Sequence, residues 1–205
     1  MQSRPSGLTL IEITIVLVII GLLLGGVLRG EEMIFNSKVK ATFNLSREIS
    51  AAINSYVDRY GQLPGDDPQA ASRFPNALPR PVNGNGDGRI PWTGGCASGT
   101  ETSEQCEALY ELRLAGFLSG SGLGPVRTPF GGQAEIASGA DVFPGLGKAP
   151  VMFFYGAGLP TKAASSIDTA FDDGAPRTGA FRCDTRAYDR SSPASPIGVS
   201  CVMTL

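Results

Sequence analysis

Apolar residues follow two patterns along this chain. From Leu8 to Leu28 they are nearly continuous, LTLIEITIVLVIIGLLLGGVL. A helix needs about 20 such residues to cross a bilayer. A secretory signal has a shorter apolar region of about 7–15 residues, then a small-residue cleavage site. No A-x-A pattern follows here, so the segment is expected to stay on the mature protein. From Val39 the pattern becomes periodic. Val39, Phe43, Ile49, Ile53, Tyr56, Val57 and Tyr60 recur mostly at three- and four-residue steps, with Lys40, Ser46, Arg47 and Asp58 in the gaps. That spacing predicts one apolar helix face. Gly61-Gln62-Leu63-Pro64-Gly65 stops it, as glycine and proline do. Leu8 to Tyr60 then reads as one helix about 80 Å long at 1.5 Å per residue. Its outer half needs a cover, and a packed sheet is the natural one.

The rest of the chain alternates short elements with loops. Leu63 to about Gly95 reads as loop. Glu107 to Leu118 reads as a helix with Leu109, Leu112 and Phe117 inward and Gly120 at its end. Ala149 to Tyr155, APVMFFY, reads as a central strand. Thr161 to Phe171 reads as a second short helix, with Thr161 as N-cap and Ile167, Ala170 and Phe171 inward. Asp172 to Pro176 is a turn, and Gly179 to Cys183 and Ile197 to Met203 are the last strands. The pattern is α+β. It divides into a leader (1–7), an apolar helix half (8–28), an amphipathic half (29–60) and a globular part (61–205).

Composition narrows the chemistry. The formal charge of -2 implies no nucleic-acid partner. The chain has no histidine, which removes His-based triads, His general bases and His metal ligands. Cys96, Cys106, Cys183 and Cys201 form no C-x-x-C pair. They read as disulfides, hence an oxidising compartment. Three connectivities are possible; Cys96–Cys106 with Cys183–Cys201 closes the shortest loops. The stretch Asn83-Gly84-Asn85-Gly86-Asp87-Gly88 is similar to the first half of a calcium loop, with Asn83, Asn85 and Asp87 as ligands. Its twelfth position is Gly94, so a bidentate acid would have to come from Glu101 or Glu104 folding back. A metal-free turn is the other reading. Asp168, Asp172 and Asp173 read as turn residues on a solvated surface, with a carboxylate active site as the alternative.

Glu12 is a carboxylate inside an otherwise uncharged run. At a bilayer centre an acid costs about 2.5–3.5 kcal/mol. Either it snorkels to the headgroups or it meets a specific cation. Ser6-Gly7-Leu8-Thr9-Leu10-Ile11-Glu12, after a short leader carrying Arg4, resembles the processing site of type IV pilins and type II secretion pseudopilins. Gly21 falls where that family has a helix glycine; Leu8 stands where it most often has Phe. The resemblance implies cleavage after Gly7 by a prepilin peptidase/methyltransferase and N-methylation of Leu8. It also implies a pilin fold and assembly through Glu12 with copies of itself or related pilins. The location implied is the inner membrane, single-pass with the C-terminal domain outside the cytoplasm. From there the chain would enter an extracellular pilus or a periplasmic pseudopilus. Charge gives no independent support for this orientation, since Arg29, Lys38, Lys40 and Arg47 outnumber Arg4.

Segments Ile167–Gly179, Leu63–Asp66 and Asn83–Gly88 are similar to segments of larger prepilin-like proteins, with Ala170 where those have lysine. A structural filament subunit is the expectation, with a pseudopilin as the alternative. A membrane-anchored periplasmic enzyme or ligand-binding protein is the rival from another class.

Overall fold

A computed structural model describes residues 9–96, 103–184 and 199–205. The chain falls into two units, Met1–Lys38 and Val39–Leu205. Helix α1 runs unbroken from Leu10 to Tyr60. In its first half Leu10, Ile11, Leu17, Leu22, Leu24 and Leu28 are all exposed. This stretch is long and apolar enough to cross a membrane.

In its outer half one stripe is buried: Val39, Thr42, Ser46, Ile49, Ala52, Ile53 and Tyr56. The stripe corrects the expected face in two ways. Ser46, read as a gap residue, is buried because its hydroxyl donates to the Phe43 carbonyl at 2.7 Å. Phe43, Val57 and Tyr60 are only half-buried, on its flanks. Phe43 nonetheless stacks on Phe171, with ring centroids 4.0 Å apart.

The remaining elements make the α+β fold expected of a pilin. They are α2 (Ala70–Arg73), α3 (Glu104–Leu114), β1 (Val126–Arg127), β2 (Gln133–Ser138), α4 (Gly139–Val142), β3 (Pro150–Leu159), α5 (Thr161–Phe171), β4 (Phe181–Cys183) and β5 (Val199–Thr204). The five strands form one sheet in the order β1-β2-β3-β5-β4, and every pairing is antiparallel. Side chains alternate between faces along β3. Val151 and Phe153, with Val202 of β5, form one cluster under Val142, Phe143 and Leu146. Met152 and Phe154 point the other way and are fully buried. Both faces are therefore covered. That explains why APVMFFY reads as an apolar run and not as an alternation.

Several boundaries move from their expected places. Helix α3 starts at Glu104, three residues early, and stops at Leu114 rather than at Gly120. Gly116, at φ 76°, ends it. Phe117 N–H donates to the Leu112 carbonyl and Gly116 N–H to that of Arg113, a glycine-dependent helix stop. The N-cap of α5 is Pro160, not Thr161. Ala170 and Phe171 are exposed, and Asp168 takes the inward place beside Ile167. Strand β3 extends to Leu159. The first two residues of the expected last strand, 197 and 198, lie outside the described residues. Disulfides join Cys96 to Cys106 and Cys183 to Cys201. The second ties β4 to β5 at directly paired positions.

Candidate functional site

Thr9 and Glu12 open α1. Thr9 N–H donates to Glu12 Oε2 at 3.2 Å and the Thr9 hydroxyl donates to the same oxygen at 3.1 Å. In return Glu12 N–H donates to Thr9 Oγ1 at 3.3 Å. This is a reciprocal capping box. A helix start leaves N–H groups without partners, and in lipid no water replaces them. The pair meets that need from its own side chains. A carboxylate is also favoured at a helix N-terminus by the backbone dipole. Both bonds to Glu12 end on Oε2, so Oε1 can face a cation without dismantling the cap. The T-x-x-E spacing was readable, but Thr9 was not singled out from sequence. Gly7 and Leu8, the expected cleavage and methylation positions, lie outside the described residues.

The helix surface beyond this cap is open. A Cβ added at Gly21, Gly25, Gly26 or Gly30 would meet nothing within 4 Å. Small residues on an apolar helix let neighbouring helices approach closely.

The expected calcium loop is organised around a carboxylate. Asp66 is buried, and its Oδ1 accepts the N–H groups of Gly86 (2.6 Å) and Asp87 (3.2 Å). Its Oδ2 accepts Gly88 N–H at 2.7 Å. Asn83 Oδ1 accepts Ala71 N–H, and Asn85 Oδ1 accepts Asp87 N–H, both at 2.8 Å. A calcium loop turns oxygens inward; this one turns amides inward. Asn83 and Asn85 would have to give up amide donors to take an ion. Glu104 does fold back onto the loop, where its Oε1 accepts Asn85 N–H. Burial, with Asp66 and Asp87 nearby, raises its carboxyl above the ordinary value. Glu101 lies outside the described residues.

Asp168, Asp172 and Asp173 bring ligand oxygens within 4.8 Å of one another. Each is engaged in the turn after α5. Asp168 Oδ1 accepts Gly174 N–H, and Asp172 Oδ2 accepts Phe181 N–H. Asp173 accepts the Thr178 hydroxyl and Ala175 N–H, which hold its carboxyl below the usual range. Asp168 is fully buried, a correction to the solvated surface expected for it.

A family model, the prokaryotic N-terminal methylation motif, matches residues 2–28. The N-terminal segment is thus a prepilin segment of the type IV pilin and pseudopilin kind, and it indicates membrane anchoring. The match stops at residue 28 and speaks for that segment. No curated protein and no solved structure matches the chain.

Proposed function

We propose that this chain is a structural subunit, major or minor, of a type IV pilus-like filament. It is inserted in the inner membrane as a prepilin and cut after Gly7. It is then N-methylated at Leu8 and packed with copies of itself or related pilins through α1. The observation that carries this reading is a methylation motif over residues 2–28 on a helix whose apolar side chains stay exposed as far as Ile34. Such a surface needs lipid first and other helices afterwards.

Glu12 supplies the register. Over four residues a helix separates Leu8 from Glu12 by about 6 Å along its axis, and Oε2 is engaged with Thr9. A staggered neighbour can bring its Leu8 ammonium to the free side of the carboxylate. Each charge is costly alone in lipid, and removing one partner of a buried pair costs about 3–5 kcal/mol.

The test is Glu12→Ala expressed as the only copy, with leader cleavage and sheared-filament recovery both measured. For a minor subunit, co-purification with the major one replaces filament yield. Normal cleavage with loss of incorporation is expected. Normal incorporation of a correctly cut variant would discard the pairing.

The second reading is a type II secretion pseudopilin, which calcium binding at the loop Asn83–Gly88 would support. The pairing Cys183–Cys201 favours the pilus-type subunit. A membrane-anchored enzyme would need a nucleophile and a base together. The sequence has no histidine, and the acids at 168, 172 and 173 hold turn amides. A structural role is therefore the one we adopt.

A further inference from the structure

Near the end of α1 three buried side chains stand in a row. Tyr56 Oη lies 2.8 Å from Glu111 Oε2 on α3 and 3.0 Å from Asp67 Oδ2 in the loop that follows α1. All three residues are fully buried. Two short oxygen–oxygen contacts require two protons, one in each, because a carboxylate oxygen is only an acceptor. Tyr56 brings one. Without a second, one contact would set a bare phenolic oxygen against an anionic oxygen, away from water.

The second proton belongs to one of the two carboxyls, and their surroundings decide which. Asp67 Oδ2 lies 2.5 Å from Arg73 Nε, and Asp67 Oδ1 accepts Gln69 N–H. Asp67 thus already faces a cation and an amide donor. Glu111 has no ion pair among the described residues. Its Oε2 accepts Gly65 N–H at 2.9 Å, and its Oε1 is buried with no hydrogen-bond partner among the described residues. An ionised Glu111 would leave charge on that orphan oxygen, which is expensive.

We propose that Glu111 is a proton-binding site: its carboxyl group holds a proton and donates it to Tyr56, which in turn donates to Asp67. The chain of two hydrogen bonds links α3, α1 and the loop after α1 while that proton is present. Above the titration of Glu111 the single Tyr56 proton faces two carboxylates, and one of the two hydrogen bonds is lost.

The other charged groups around the site do not replace that proton. Glu107, one turn earlier on α3, is itself buried, with an Oε2 that has no hydrogen-bond partner among the described residues. Burial raises it to about 7. Asp66 faces the amides of 86–88. Arg113 turns its guanidinium to the Gly122 and Gly124 carbonyls, and Tyr110 donates to the Pro79 carbonyl. Burial first, then the charges of Asp67 and Glu107, push Glu111 up to about 8 against the lowering effect of the Gly65 amide. Burial and the neighbouring acids push Tyr56 upward as well, so it keeps its own proton.

The packing is too close for the loop to adjust freely. Gly65, at φ 86°, lies so near α3 that a Cβ there would stand 2.2 Å from the Glu104 carbonyl oxygen.

The direction of the pH effect follows. In the unfolded chain Glu111 ionises near its ordinary value of 4.5; in the folded chain it keeps its proton to about 8. Between these values the folded state binds the extra proton, so stability falls as pH rises. The effect is complete by about pH 8.

The experiment is denaturant unfolding of the full chain in detergent micelles, from pH 5 to 9, for wild type and Glu111→Gln. Glutamine removes the titration; with its nitrogen at the Oε2 position it keeps a donor for Tyr56 and gives up the acceptor for Gly65, an offset that does not vary with pH. The ratio of unfolding constants, wild type over variant, should rise about tenfold per pH unit across the window, one proton's worth. A ratio independent of pH overturns the proposal. Should Glu111→Gln fail to fold, isotope-edited infrared spectra of Glu107→Gln carry the test. A protonated glutamic carboxyl should be present at pH 6.5 and gone above pH 9. Its absence at pH 6.5 overturns the proposal. The inference stands independently of the filament reading.

Discussion

Asp66 shows how one side chain can set the shape of a loop. Three amides donate to its carboxylate from positions 20 to 22 residues away in sequence. Removing the acceptor strands those donors in a partly buried place, at a cost of about 1–3 kcal/mol each. Asp66→Ala is therefore expected to lower stability by several kcal/mol and to free the loop to proteolysis. Calcium bears on the same residues. With Asn83 and Asn85 holding amides, millimolar calcium should leave the melting temperature within about 1 °C of its value in chelator, since only a ligand of the folded state raises it. A clear rise in calcium, abolished by Asp87→Ala, would restore Asn83, Asn85 and Asp87 as ligands. At this scale sequence reading succeeded where spacing alone carries the meaning. Glu12 stands out because a charge in an apolar run is costly. Ser46, Asp66 and Glu111 do not stand out, because their partners are either backbone groups or residues far along the chain. A serine that donates to its own helix looks the same in sequence as one that faces water.

Elements were legible in proportion to how local their causes are. Helix α1 follows from apolar length and a 3.6-residue period, and its glycine stop from Gly61. Strand β3 follows from its apolar run. Strand β2, QAEIAS, was not foreseen, and Glu135 explains why. This residue is fully buried in the sheet. Its carboxylate accepts Cys96 N–H at 2.7 Å and the Tyr155 hydroxyl at 2.5 Å. Only tertiary contacts make an acid tolerable there, and no local pattern announces them. The last hairpin depends on a covalent tie. Cys183 and Cys201 pair directly across β4 and β5 and enclose a separation of 18 residues. Cys183→Ser with Cys201→Ser should destabilise the chain by about 3 kcal/mol in the chain-entropy model. Denaturant unfolding of the double variant checks the size. Non-reducing peptide mapping checks the connectivity, where Cys96 linked to Cys201 would contradict it.

At the scale of the whole molecule, an apolar helix half with exposed side chains is joined in one chain to a folded α+β part. Water does not favour the first. A bilayer does, and in the filament we propose a bundle of like helices would. In the proposed route, cutting the leader of the prepilin segment at residues 2–28 would create a new ammonium four residues before Glu12. Everything proposed for Glu12 depends on that cut. N-terminal mass spectrometry of the protein from its native membrane tests it most directly. The mature chain is expected to begin at Leu8 with one added methyl group, and Gly7→Ala to accumulate with its leader. A native chain that keeps Met1, or one cut after the apolar run, would contradict the filament reading.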